Sequence, residues 1–322
     1  MKNLFLFFLS LIFFATVMPG CKREHLVDER EALTALDAGS IKETPAFAHD
    51  RGEWTVPVHL GPEVNSPSRE LGAEISADGL SLYYNSDRPV VTNGPFDIYV
   101  SRRACLECPW EQAQNLGQPI NGLGNDGAPA LSHDGHLLFF SSNRDGLGGL
   151  DLWVSRRKNP NDDFGWEAPI NLGPLVNSAA DDGGPSYVVA AGEHAELYFT
   201  RGFTTWVAPI SRSGKVLAPA VEMDLGGDAV SPSVRKDGRE LVFWAGPGRG
   251  GLGDADIWVS TRHNITDSWS TPVNLGAPVN TAGGELEAGI SDDGNTLVFS
   301  GTMTRGSSLG RQDIWISTRA HR

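Results

Sequence analysis

Apolar and polar positions alternate in short bursts along most of this chain, and one burst pattern keeps returning. A mildly apolar stretch ends at Asp-Gly, an aromatic run follows, then a Gly-rich polar loop, then Asp-Ile-Trp-Val-Ser. The first copies read Ser76-Ala-Asp-Gly with Leu82-Tyr-Tyr and Asp97-Ile-Tyr-Val-Ser, then Ser132-His-Asp-Gly with Leu138-Phe-Phe and Asp151-Leu-Trp-Val-Ser. Two later copies read Lys236-Asp-Gly with Leu241-Val-Phe and Asp256-Ile-Trp-Val-Ser, then Asp292-Asp-Gly with Leu297-Val-Phe and Asp313-Ile-Trp-Ile-Ser. Between them lies a worn copy, Gly192-Glu-His-Ala-Glu-Leu-Tyr-Phe followed by Thr205-Trp-Val. Short runs rich in aromatic and β-branched residues, bounded by Gly, Asp and Asn, predict strands and not helices. A period of about 40–57 residues with several strands per unit is the sign of a β-propeller.

Each unit reads as four strands. The small, mildly apolar stretch before Asp-Gly suits an innermost strand crowded near an axis, and Asp-Gly makes the tight hairpin out of it. The aromatic run is the second strand and Ile-Trp-Val-Ser the third. Its aromatics, Tyr99, Trp153, Trp206, Trp258 and Trp315, are expected to fill the space between blades. An outer strand falls between units: Trp54-Thr-Val-Pro-Val-His-Leu-Gly, Trp110-Glu-Gln-Ala-Gln-Asn-Leu-Gly, Trp166-Glu-Ala-Pro-Ile-Asn-Leu-Gly, Trp269-Ser-Thr-Pro-Val-Asn-Leu-Gly and a degenerate Val216-Leu-Ala-Pro. The chain therefore begins on an outer strand and ends on a third one. The prediction is an all-β propeller of five four-stranded antiparallel blades, with Trp54 to Leu60 completing the blade that ends at Ser317. That closure leaves no raw edge at the seam. Six blades are the alternative, but a sixth needs about 40 unassigned residues within the ring.

Ser-x-Asp-Gly-x-x-Leu-x-Phe followed by Asp-Ile-Trp resembles the WD40-like PD40 repeat of TolB-type propellers in bacterial envelopes. The resemblance covers residues 54–319. It implies a periplasmic or surface binding module, in some members assembled with envelope proteins, and most often six blades. Fold and function travel separately, so the repeat itself names no ligand.

The first 21 residues are different material. A basic start, an apolar run from Leu4 to Val17 and the ending Met18-Pro-Gly-Cys21 have the flanks of a secretory signal, and the run is too short to span a bilayer comfortably. It resembles a bacterial lipoprotein signal, which implies lipidation of Cys21. Residues 22–50 carry no repeat and read as a tether, leaving 51–322 as a single propeller domain. Membrane contact is then expected through the lipid anchor only, at the outer membrane facing periplasm or surface, with a monomeric chain. The formal net charge of −14 excludes a basic stripe able to neutralise phosphates, so no nucleic-acid partner is expected.

One acid per unit stands at the entry to the innermost strand: Glu70, Asp126, Asp182, Asp228 and Glu285. One arginine per unit follows the second strand: Arg88, Arg144, Arg201, Arg249 and Arg305. Both sets fall on one face, near the channel mouth. Repeated ion pairs are the simplest use, with Arg forking onto a carboxylate. The same ring of oxygens could hold a hard cation such as calcium, although no cofactor is required. Five-bladed propellers also include glycosidases, which need two carboxylates in unlike surroundings. The five acids recur in like contexts, and among them a second acid stands close by only at Asp181-Asp182 and Glu285-Leu-Glu287. The expectation is thus a non-catalytic binding or scaffold module whose partner is an envelope protein or glycan, with a glycan-active enzyme as the alternative. Cys105 and Cys108 make a single Cys-x-x-Cys pair, too few thiolates for zinc and suited to a local disulfide in an oxidising compartment. The glycine loops after Gly146 and Gly248 lack the Lys-Ser/Thr and the strand-to-helix context of a phosphate loop.

Overall fold

Ser76, Asp78 and Gly79 show how the repeat builds its hairpins. Ser76 donates its hydroxyl to Asp78 Oδ1 (2.6 Å), and the same oxygen accepts the Leu80 N–H (3.0 Å), while Gly79 takes a φ of 71°. An Asp side chain bonding the backbone two residues on is a turn in itself, and the left-handed φ calls for glycine. Ser132-His-Asp-Gly and Ser291-Asp-Asp-Gly repeat the arrangement. In the fourth blade Arg235 replaces the serine and forks onto Asp237 (2.7 and 2.5 Å).

The computed structural model describes residues 52–89, 94–189, 194–302 and 308–320. Twenty strands form five four-stranded antiparallel sheets. Blade one comprises β2 (Glu70–Ile75), β3 (Ser81–Ser86), β4 (Asp97–Arg102) and β5 (Gln114–Asn115). Blade two holds β6 (Asp126–Leu131), β7 (Leu137–Ser142), β8 (Asp151–Arg156) and β9 (Ile170–Asn171). Blade three holds β10 (Asp182–Val189), β11 (His194–Arg201), β12 (Thr204–Ser211) and β13 (Val221–Glu222). Blade four is β14 (Val230–Val234), β15 (Glu240–Ala245), β16 (Asp256–Thr261) and β17 (Val273–Asn274). Blade five is β18 (Gly284–Ile290), β19 (Thr296–Thr302), β20 (Asp313–Thr318) and the N-terminal β1 (Val58–His59).

The ring closes as the order of motifs requires. Val58 pairs with Ile316 and His59 with Trp315, and the Thr55 N–H donates to the Thr318 carbonyl (2.8 Å). Asn65 adds a two-pronged clasp, accepting the Ile314 N–H (2.7 Å) and donating to the Ile314 carbonyl (3.0 Å). No edge strand is left bare at this seam.

Five apolar clusters, one at each junction between blades, form the core. The third-strand aromatics sit at these junctions, Tyr99 and Trp315 buried and Trp153, Trp206 and Trp258 partly so. Arginine explains the partial cover: Arg88, Arg144, Arg201 and Arg249 stack on Tyr99, Trp153, Trp206 and Trp258 at 4.3–5.5 Å. A guanidinium over a ring face shields it while keeping contact with water. A second arginine set caps the outer-strand tryptophans, Arg103 on Trp110, Arg157 on Trp166, Arg262 on Trp269 and Arg319 on Trp54. Cys105 and Cys108 are joined as a disulfide. Cys21, the signal and the tether lie outside the described residues, as does Arg305.

Candidate active site

The acids picked from the repeat are bound into the scaffold. Arg88 Nη2 reaches Glu70 Oε1 (2.9 Å), Arg144 Nη2 reaches Asp126 Oδ1 (2.6 Å) and Arg201 Nε reaches Asp182 Oδ1 (2.7 Å). All three carboxylates are fully buried, and each arginine also donates to the carbonyl of Val64, Ile120 or Val176 in the turn before the blade. Glu285 is equally buried and accepts the Thr281 hydroxyl (2.5 Å) and N–H (2.9 Å). Asp228 departs from the set: it is exposed, and Arg249 donates to its backbone carbonyl (2.6 Å). The five acids therefore do not form an open ring at the channel mouth. Among the described residues, no cluster of three or more His, Cys, Asp or Glu is placed to hold a metal ion.

The axis itself is lined by a different set, two residues further along the chain than the repeat acid in four blades and three residues further in blade four. Every one of these strands breaks its pairing with the second strand at the same point, between Leu71 and Glu74, Gly127 and Ala130, Gly183 and Ser186, Val230 and Ser233, and Leu286 and Gly289. Such bulges re-aim a side chain and free a backbone N–H. The bulge residues are Gly72, Ala128, Gly184, Ser231 and Glu287, with φ of 61°, 47°, 57°, 49° and 47°. Gly72 and Gly184 tolerate this left-handed backbone freely; Ala128 and Ser231 share its strain but are small enough for the crowding at an axis. Glu287 alone carries a long, ionisable side chain there.

A polar anchor holds the freed N–H in three blades. The Ala128 N–H donates to Asn85 Oδ1 (2.9 Å), the Gly184 N–H to Ser141 Oγ (3.1 Å) and the Ser231 N–H to Thr200 Oγ1 (2.7 Å). Each anchor lies on the second strand of the preceding blade, opposite the residue before that blade's bulge. At the same register, blades four and five carry Trp244 and Ser300, and the system fails. An indole N–H accepts nothing, and Trp244 Nε1 is buried with no hydrogen-bond partner. Ser300 Oγ is also buried without a partner, while the Glu287 carboxylate stands against the Gly72 N–H the serine would be expected to anchor. Its Oε2 lies 3.3 Å from where a Cβ on Gly72 would be, a close approach at a position whose φ of 61° already favours glycine.

Glu287 thus sits where two spaces meet. Above it opens a funnel of about 320 Å³, walled by residues of all five blades, among them Phe96, Asn125, Asp126, Asp181, Ser141 and Thr200. Below it the axis narrows to a neck of about 30 Å³ whose wall includes Glu74. Burial raises the Glu287 carboxyl from its ordinary 4.5 to about 7, and the Gly72 N–H partly offsets the rise. Glu74 is pushed well up by burial and then by the negative charge of Asp292. Asp181 is exposed and accepts the Leu150 N–H at Oδ1 (2.8 Å).

Neither a family model nor a curated protein matches the chain. Solved structures do. An α-L-arabinofuranosidase from Podospora anserina, in complex with cellotriose, aligns with a TM-score of 0.54 at 12% identity, over 84% of this chain and 98% of that one. An arabinanase from Bacillus subtilis aligns at 0.52 and 14% identity, over 80% and 96%. A family-43 glycoside hydrolase from Xanthomonas citri, complexed with xylotriose, aligns at 0.53 and 14% identity, over 85% and 92%. At these identities the likeness is one of fold. It corrects the resemblance to TolB-type PD40 propellers: the neighbours are five-bladed glycoside hydrolases. The expectation of a non-catalytic binding module falls with it, because it rested on that family and on a symmetry that Glu287 breaks.

Proposed function

We propose that the chain is a glycan-active hydrolase whose proton donor is Glu287. The observation that carries this reading is the ring of five bulge residues, four small and one glutamic acid, at the floor of the funnel. A left-handed, partly buried acid with no cation beside it among the described residues is strained and unfavourable for folding, and such features gather at functional sites. Glycoside hydrolysis asks for two carboxyl groups in unlike surroundings. Glu287, held near 7 by burial, suits the acid that protonates the leaving oxygen. Asp181, exposed and bonded to a backbone N–H on the same funnel wall, suits the carboxylate that activates water or attacks the sugar. Phe96 offers a ring for the apolar face of a sugar, backed by Arg69 at 4.6 Å. The funnel falls in the range of about 300–1,000 Å³ usual for small-ligand sites.

On this reading the signal and a lipidated Cys21 place the hydrolase in the bacterial envelope, held by its lipid alone. Its partner is then the glycan. Purified protein assayed on a panel of aryl furanosides, pyranosides and oligosaccharides tests the proposal. Turnover should fall by about 10²–10⁴-fold in Glu287→Gln with folding preserved. Turnover untouched by that substitution, or none across the panel, would sink the reading.

A further inference from the structure

Among the described residues, Ser300 is the one member of the anchor series with an oxygen that meets no hydrogen-bond partner. Its siblings Ser141 and Thr200 each accept the N–H of the next blade's bulge residue (3.1 and 2.7 Å), from the same register on the second strand. By that equivalence Ser300 belongs to the Gly72 N–H across the seam. Ser300 Oγ is fully buried and unpartnered among the described residues, and the Glu287 carboxylate stands against that N–H instead. A buried hydroxyl without a partner is costly unless a second arrangement satisfies it. We propose that Ser300 is a positioning residue for Glu287, its Oγ and the carboxylate exchanging the single Gly72 N–H between them.

The exchange follows the proton. A charged carboxylate is the stronger acceptor and draws the N–H. Once protonated, or once its oxygen turns into the funnel toward a leaving group, Glu287 releases the N–H and Ser300 takes it, as Ser141 and Thr200 take theirs. No covalent step is involved: one acceptor replaces another on one donor. Ser300 thereby stabilises the protonated, released form of Glu287. Trp244, the corresponding residue of blade four, has no acceptor for the N–H of Glu287 itself, so the backbone there is not held by the same device. The inference rests on Glu287 as the proton donor, but its test needs no turnover.

The experiment is a carbon-13 titration of the Glu side-chain carboxyls in the purified protein, with the Glu287 resonance identified by its loss in Glu287→Gln. The Gly72 amide is followed in the same samples. Ser300→Ala removes the alternative acceptor, so the Glu287 midpoint should fall by about half a unit or more, some threefold in the protonation constant. Ser300→Thr keeps the hydroxyl in the form Thr200 uses, and should leave the midpoint at or above that of the parent. The Gly72 amide should step at the Glu287 midpoint in the parent. If Ser300→Ala folds and leaves the midpoint in place, the exchange does not occur. Should the threonine variant fail to fold, the alanine arm decides alone. A shifted midpoint in a protein that hydrolyses nothing would uphold the exchange and reject the enzyme.

Discussion

Glu287→Gln should make the protein more stable, and more so as the pH rises. In the folded chain this acid sits at about 7 instead of 4.5, so between those values the folded state holds a proton that the unfolded state has released. A group raised in this way contributes its stability in full below the unfolded value and loses it as pH climbs through the folded one. The rise corresponds to about 3 kcal/mol at 1.36 kcal/mol per unit, an upper figure because the side chain is only partly buried. About 2 kcal/mol of it falls between pH ~5.5 and ~8.5. Glutamine keeps the shape and the left-handed backbone but cannot titrate. The assay is a pair of urea melts, parent against variant, at each end of that range. The advantage of the variant should be about 2 kcal/mol larger at the alkaline end, or about 4–8 °C in melting temperature for a domain of this size. All other titrating groups are shared and cancel in the difference. An advantage that does not change with pH would mean the carboxylate is solvated in the folded state, and would remove the physical ground for its role as an acid.

Asp126→Ala should cost about 3–5 kcal/mol, because it strands the partner of a buried pair. The lower end is expected, since Arg144 keeps 20% exposure and its carbonyl contacts, and chemical denaturation measures it. Removing residues 52–61 strips β1 and the Trp54–Arg319 stack from blade five. It should lower the melting temperature far more than removing residues 23–45, and equal losses would refute closure by β1. Cys21→Ser should move the protein from the membrane to the soluble fraction, and persistence after a high-salt wash would point to another anchor.

The strands were legible because each is written twice, once in apolar alternation and once in its turn chemistry. Asp78 and Gly79 do local work that any reader of turns can follow. The blade count and the closing strand followed from the order of motifs alone. The family did not follow, because Ser-x-Asp-Gly and Asp-Ile-Trp encode a hairpin and a packed junction, which propellers need whatever they do. The site was half visible. Asp181 and Glu287 are the second acids standing beside two of the five repeat acids, Asp182 and Glu285, and both line the funnel. What hid Glu287 is the bulge. It shifts the register within each innermost strand, so the residue facing the axis is not the one the repeat makes conspicuous. Other contacts were beyond reach for a plainer reason. Asp163 accepts from Tyr83 (2.5 Å) and Arg157 (2.8 Å), linking an inserted loop of blade two to blade one. No periodicity records such a meeting.

Besides the departures in blades three and four, three departures from five-fold symmetry meet at the junction of blades five and one. There His59 replaces the asparagine found at 115, 171 and 274. Its Nδ1 accepts the Gly61 N–H (3.1 Å) while Nε2 faces Asp313 Oδ2 (3.2 Å), so it reproduces the asparagine contacts with a larger ring. Glu287, Ser300 and Gly72 meet across the same junction. Blade five receives its outer strand from the start of the chain, so this junction forms only when the ring closes. Glu287 therefore meets Gly72 only across the closed seam, while the other four blades carry a glycine, alanine or serine at the bulge. On the proposed reading, the stability of the repeat offsets the cost of the acid at the seam.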